Sequence, residues 1–115
     1  MLSHGHRHER LADQIRIEVA EMIEGELRDP RIGFATVTGV ELSPDLRHAR
    51  VRVSGTGAEE GETLAGLSSA AGYVRREIGS RLRLRRAPEI VFELDRGVEG
   101  MERVQKLLDE IKREG

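Results

Sequence analysis

The 115-residue chain contains no cysteine and no tryptophan, and its aromatic residues are one Tyr and two Phe. The absence of cysteine excludes disulfide frameworks, thiolate zinc sites and cysteine nucleophiles together, and it fits a reducing cytosol. The shortage of aromatics has a functional consequence. Sequence-tolerant single-strand binders usually stack bases on Phe, Tyr or Trp, so a nucleic-acid role here would rest on backbone charge and shape. No stretch approaches the roughly 20 apolar residues of a membrane span, and residues 1–10 hold His and Arg rather than an apolar leader. The expectation is a cytoplasmic protein of one domain over residues 1–115, with residues 1–8 as a flexible tail.

The net charge is −2, which taken alone argues against nucleic acid. Its distribution argues otherwise. Arg75, Arg76, Arg81, Arg83, Arg85 and Arg86 stand against Glu77 alone, a local +5, so the remaining chain carries −7. Arginine forks match phosphate geometry and stay charged, which makes this segment the principal candidate for RNA contact, with Arg7 and Arg10 as auxiliary cations. A solvated face paired to glutamates is the competing reading. Six Arg to one Glu is not the alternation that such a face shows.

Periodicity supplies the scaffold. Leu11, Ile15, Val19, Met22, Ile23 and Leu27 recur at helical spacing from Glu9, and Asp29-Pro30 with Gly33 ends that helix. Phe34, Thr36, Thr38, Val40 and Leu42 fall on one face of a predicted strand, and Ala49, Val51 and Val53 on one face of a second. Ser43-Pro44-Asp45-Leu46 predicts a hairpin turn between them. Leu64, Leu67, Ala71, Val74, Ile78 and Leu82 mark a second helix ended by Arg86-Ala87-Pro88, with a break or kink at Ala70-Ala71-Gly72. On that helix Arg76 and Arg83 are two turns apart and share a side. Ile90, Phe92 and Leu94 predict a third strand, and Val98 to Ile111 a last helix. The order is α-β-β-α-(kink)-α-β-α, an α+β fold.

Three other constellations are weaker. His4, His6 and His8 alternate like metal ligands but have no carboxylate or thiolate spacing to complete a shell, so no metal is assigned. Gly97-Val98-Glu99-Gly100 matches the G-x-x-G backbone clamp, yet it follows a strand and carries an anion, and it reads as a turn. Ser43, Asp45 and His48 are ordinary turn residues rather than a catalytic group. No enzymatic activity and no cofactor are expected.

These residues resemble the bacterial ribosome-binding factor A family from about Arg10 to Ile111. The resemblance rests on Asp29-Pro30-Arg31-Ile32-Gly33, on Val37-Thr38-Gly39-Val40 followed by Ser43-Pro44-Asp45-Leu46, and on Ala49-x-Val51-x-Val53. It continues through Ala70-Ala71-Gly72 with Val74-Arg75, Arg81-Leu82-Arg83-Leu84-Arg85, and Pro88-Glu89-Ile90-x-Phe92-x-x-Asp95. It implies a KH-like domain of the second type, its three-stranded sheet covered by helices on one face, with a kink at Ala70, Ala71 and Gly72 in place of the G-x-x-G loop. It further implies a factor that binds the free small (30S) ribosomal subunit, assists late maturation of 16S rRNA and supports growth in the cold. The polarised surface, without an obvious apolar patch, favours a monomer, and an assembly GTPase is a further candidate partner. A protein-interaction module offering its arginines to an acidic partner is the alternative.

Overall fold

The computed structural model describes residues 2–55, 60–95, 109 and 111, with side chains from Arg7 onward. Two long helices cover one face of a three-stranded sheet. The elements are α1 (Leu2–Gly25), β1 (Thr36–Leu42), β2 (His48–Ser54), α2 (Glu60–Arg81) and β3 (Glu89–Leu94). β2 lies in the centre, antiparallel to β1 and parallel to β3. This mixed α+β arrangement is consistent with the KH-like domain that the resemblance implies. The expected last helix falls mostly outside the described residues, of which Asp109 and Ile111 are helical, and the Gly97–Gly100 segment lies outside them altogether.

The core follows from the periodicities. Ile15, Val19, Met22 and Ile23 of α1 and Leu67, Val74 and Ile78 of α2 are buried against Ala49, Val51 and Val53 of β2 and Ile90 and Phe92 of β3. Burying an aliphatic side chain of this size contributes roughly 1.5–3 kcal/mol, so these few positions hold the helices to the sheet. The helix α1 spans Leu2–Gly25 and so begins before the apolar periodicity that starts at Glu9. Residues 2–8 hold one glycine and no proline to prevent this.

Two further expectations change. The strand β1 does not present Phe34, Thr36 and Thr38 inward. Val37 pairs with Val53 while Gly39 pairs with Arg52, so Thr38 is an extra residue in a β-bulge. The bulge reverses the alternation, and Val37, Val40 and Leu42 pack on the core while Phe34 is 86% exposed. Of the break or kink expected at Ala70, Ala71 and Gly72, the second helix shows no break and runs through all three. Gly72 is exposed, and a Cβ there would meet nothing within 4 Å. The loss of helix propensity at one glycine is outweighed by the packing of Leu67, Val74 and Ile78 on either side.

The Asp29–Gly33 loop clips onto α2 in advance of Gly72. Asp29 accepts hydrogen bonds from the Arg31 backbone N–H and from its guanidinium, whose Nη2 also reaches Ser69 Oγ at 3.2 Å. Ile32 packs so closely on Gly66 that a Cβ there would lie 2.9 Å from Ile32 Cγ1 and 3.2 Å from Arg31 Cβ.

The two helix glycines should therefore respond oppositely to alanine. Gly72→Ala gains helix propensity in open space and should stabilise by about 1 kcal/mol. Gly66→Ala gains the same propensity but drives into a buried isoleucine, and an overpacking cost of about 1–3 kcal/mol leaves it net destabilised by up to about 2 kcal/mol in urea unfolding. The clip has a pH signature. The Arg31 guanidinium pulls the Asp29 carboxyl from 3.8 down to about 2. A folded-state value below the unfolded one contributes stability that is complete above about pH 4 and is lost as pH falls towards 2. The melting-temperature difference between wild type and Asp29→Asn should accordingly narrow over that interval and stay constant above it.

Candidate nucleic-acid interface

The arginine segment occupies the C-terminal end of α2 and the loop that follows it. The helix ends at Arg81, not at Arg86. Leu82 N–H still donates to Ile78 O at 3.0 Å, Arg83 N–H then donates to Ser80 O at 3.3 Å, and Leu84 N–H to Gly79 O at 2.9 Å. These last two bonds form a Schellman cap. The residue at the left-handed position of such a cap is usually glycine. Here it is Arg83, with φ of 52°. The cap turns the chain so that Leu82 and Leu84 pack against the core while Arg83, Arg85 and Arg86 remain exposed. The two-turn helical projection of Arg76 and Arg83 does not hold, because Arg83 has left the helix.

The six arginines divide into three kinds. Arg81 is committed inside the protein: its guanidinium lies 3.4 Å from Glu18, 2.6 Å from Glu26 and 3.1 Å from Glu77, with 28% of its side chain exposed. Tyr73 Oη donates to the same Glu26 at 2.6 Å. Arg81, together with Tyr73, holds the Glu26 carboxyl below its usual range, and Glu26 in turn raises both partners. This cluster ties the end of α1 to α2. Arg75 is anchored by Nε, which donates to Ala87 O at 3.2 Å, leaving the rest of its guanidinium at the surface. Arg76, Arg83, Arg85 and Arg86 are exposed and have no carboxylate within ion-pair distance among the described residues. Arg7 and Arg10 are exposed on α1.

Other arginines are neutralised locally. On the face of the sheet away from the helices, Arg50 pairs with Glu93, and Arg52 bridges Glu93 and Glu41 at 3.2 and 2.7 Å. That face carries no uncompensated stripe of positive charge among the described residues. The free cations are concentrated at the α2–β3 end.

The hairpin reaches the same end. Asp45 Oδ1 accepts from Ser43 Oγ at 2.7 Å and from Arg47 N–H at 3.0 Å, while Ser43 Oγ accepts from His48 N–H. Ser43, Asp45 and His48 therefore build a turn. Parallel pairing sets His48 opposite Glu89, and Glu89 N–H donates to Arg47 O at 2.7 Å. Arg47 and His48 thus join the arginine cluster, although sequence reasoning does not include them. Their position immediately after a turn is visible in the sequence, but the β2–β3 register that brings them there is not. Among the described residues no group of three or more His, Asp or Glu is placed to hold a metal, and the side chains of His4 and His6 lie outside them.

Two substitutions should move stability in opposite directions. Arg83→Gly relieves a left-handed side-chain residue and should stabilise by about 1 kcal/mol in chemical unfolding. Arg81→Gln leaves Glu18, Glu26 and Glu77 together without their cation and should lower the melting temperature.

Comparison with known proteins places this geometry. A family model described as Ribosome-binding factor A matches residues 7–108. The Ribosome-binding factor A of Desulforamulus reducens is 47% identical over 108 residues, covering 92% of this chain and 90% of that protein. The crystal structure of ribosome-binding factor A from Thermus thermophilus superposes with a TM-score of 0.72 at 33% identity, covering 78% of this chain and 97% of that one. A homology model of Thermus thermophilus ribosome binding factor A, fitted into the cryo-EM map of a 30S–RbfA complex, superposes with a TM-score of 0.63 at 36% identity, covering 73% of this chain and 90% of that one. With a family match across nearly its whole length and a shared fold, this chain belongs to the ribosome-binding factor A family.

Proposed function

We propose that this chain is a non-catalytic assembly factor that binds the free small ribosomal subunit and assists late maturation of 16S rRNA. The observation that carries this reading is the exposed set Arg76, Arg83, Arg85 and Arg86, which has no compensating carboxylate among the described residues. A surface of that kind tracks phosphate, and binding gains free energy from release of the counterions held by RNA. The relative from Thermus thermophilus, placed in a map of a 30S complex, supports the same partner. Arg7 and Arg10 supply auxiliary contacts. Exposed Gly72, preceded by half-buried Ala70 and Ala71, offers a place where RNA backbone approaches α2 without meeting a large side chain, and a bend there on binding belongs to the same proposal.

A factor of this type breaks no bond. It acts by binding one conformation of the subunit better than its alternatives, and the shift it produces is set by that difference in affinity. Phosphate contacts position the protein, and RNA shape supplies the specificity, since the described surface offers few aromatic planes for stacking. Growth at low temperature and removal by an assembly GTPase are consistent extensions of this role, and a cytoplasmic monomer suits it. No helix among the described residues is long and apolar enough to cross a membrane.

The test is equilibrium sedimentation of the chain with small subunits from its own host over a range of salt. Arg76→Glu and Arg83→Glu should each weaken binding about tenfold, flatten the salt dependence by about one unit of slope, and leave the fold intact by circular dichroism. Unchanged affinity in both would remove the arginine surface from the proposal. Retention of partner binding after ribonuclease digestion would favour an acidic protein partner instead.

A further inference from the structure

Where β2 and β3 begin, a groove of about 750 Å³ separates the hairpin from the α2–β3 loop. Asp45, Arg47 and His48 line one wall, and Arg75, Arg86 and Glu89 the other. Three arginines thus line it from a turn, a helix and a loop that are distant in sequence. The walls are built before any ligand arrives, because Glu89 N–H donates to Arg47 O at 2.7 Å and Arg75 Nε to Ala87 O at 3.2 Å.

The carboxylates of the groove are already engaged. Asp45 takes the Ser43 hydroxyl and the Arg47 N–H, which hold its carboxyl below the ordinary value, and Glu89 Oε2 lies 3.4 Å from His48 Nε2. Asp45 Oδ2 also lies 4.0 Å from Arg47 Nε, so the three arginines of the groove outnumber its two carboxylates by one. No Phe, Tyr or Trp lines it, and its one ring, the His48 imidazole, lies against Glu89. Its chemistry is that of a site for a compact oxyanion carrying hydrogen-bond acceptors on several sides. It is continuous with the exposed Arg83–Arg85–Arg86 surface through Arg86.

We propose that this groove holds one phosphodiester of the rRNA strand, gripped from the hairpin by Arg47 and from the opposite wall by Arg86, with Arg75 at its base. The proposal deepens the functional reading above and rests on it. Its distinguishing claim is convergence. Arg47 and Arg86 act on one shared phosphate, whereas Arg76, which is outside the groove, acts on another.

A double-mutant cycle on binding of the full chain to host small subunits tests that claim. Arg47→Gln keeps the backbone carbonyl that receives Glu89, and Arg47 is 67% exposed, so melting temperature should hold. Arg47→Gln and Arg86→Gln should each lower affinity about five- to tenfold, and the double variant should lose clearly less than the product of the two. Arg47→Gln combined with Arg76→Gln should lose the full product, as independent sites do. Wild-type binding with an unaffected Arg47→Gln, or a full product for Arg47 with Arg86, would overturn the groove and leave the assembly-factor reading standing. A wild-type chain that fails to bind subunits at all would overturn both. Arg47-dependent binding to a ribonuclease-treated, RNA-free fraction would overturn the phosphodiester and assign the groove to an acidic protein segment.

Discussion

The parallel pairing of β2 with β3 is the constraint on which the rest of the structure depends. Adjacent parallel strands cannot be joined by a tight turn, so the chain must cross back over the sheet, and α2 is that crossover. A helix of 22 residues is about 33 Å long, against roughly 20 Å for the strands beneath it. The surplus length has to be turned back towards the start of β3. The Schellman cap, with Leu82 and Leu84 returned to the core, makes that turn, and it brings the α2–β3 loop beside the hairpin. The cationic end of the molecule is thus a product of topology, assembled from segments centred on residues 47, 76 and 85.

Charge in this protein is organised by where the carboxylates are. Arg31, Arg50, Arg52 and Arg81 each have an acidic partner within 3.3 Å, and their charge is used to hold loops, strands and helices together. Exposed arginines near the end of α2 have none among the described residues. A net charge of −2 is therefore compatible with a surface that attracts RNA, because the sum counts acids and bases that cancel far from that surface.

Much of the scaffold is legible in the sequence because it obeys one period at a time. Ile15, Val19, Met22 and Ile23 read as one helix face, and Ala49, Val51 and Val53 as one strand face, and the core confirms both. Legibility fails where a long-range or single-residue event intervenes. The role of Arg81 depends on Glu18 and Glu26, 63 and 55 residues away, which no local pattern reveals. Arg47 reaches the arginine cluster through a strand register that hydrophobic alternation cannot specify. Arg83 defies its helical projection because an arginine occupies a position where glycine is expected, and the helix stops early. Val37 takes the inward place expected of Thr36 and Thr38 because of the extra residue at Thr38, and Phe34 lies before the strand begins.

That extra residue has a meaning for the molecule's conduct in a crowded cell. The strand β1 is an edge of the sheet, with backbone donors and acceptors turned outward. An incoming strand from a second copy would need an even ladder to grow along. The bulge at Thr38 divides β1 into Thr36–Val37 and Gly39–Leu42, so no regular run is long enough to serve as a template. A local defect in pairing thus interrupts one margin of the sheet, while the other, β3, pairs evenly along its length.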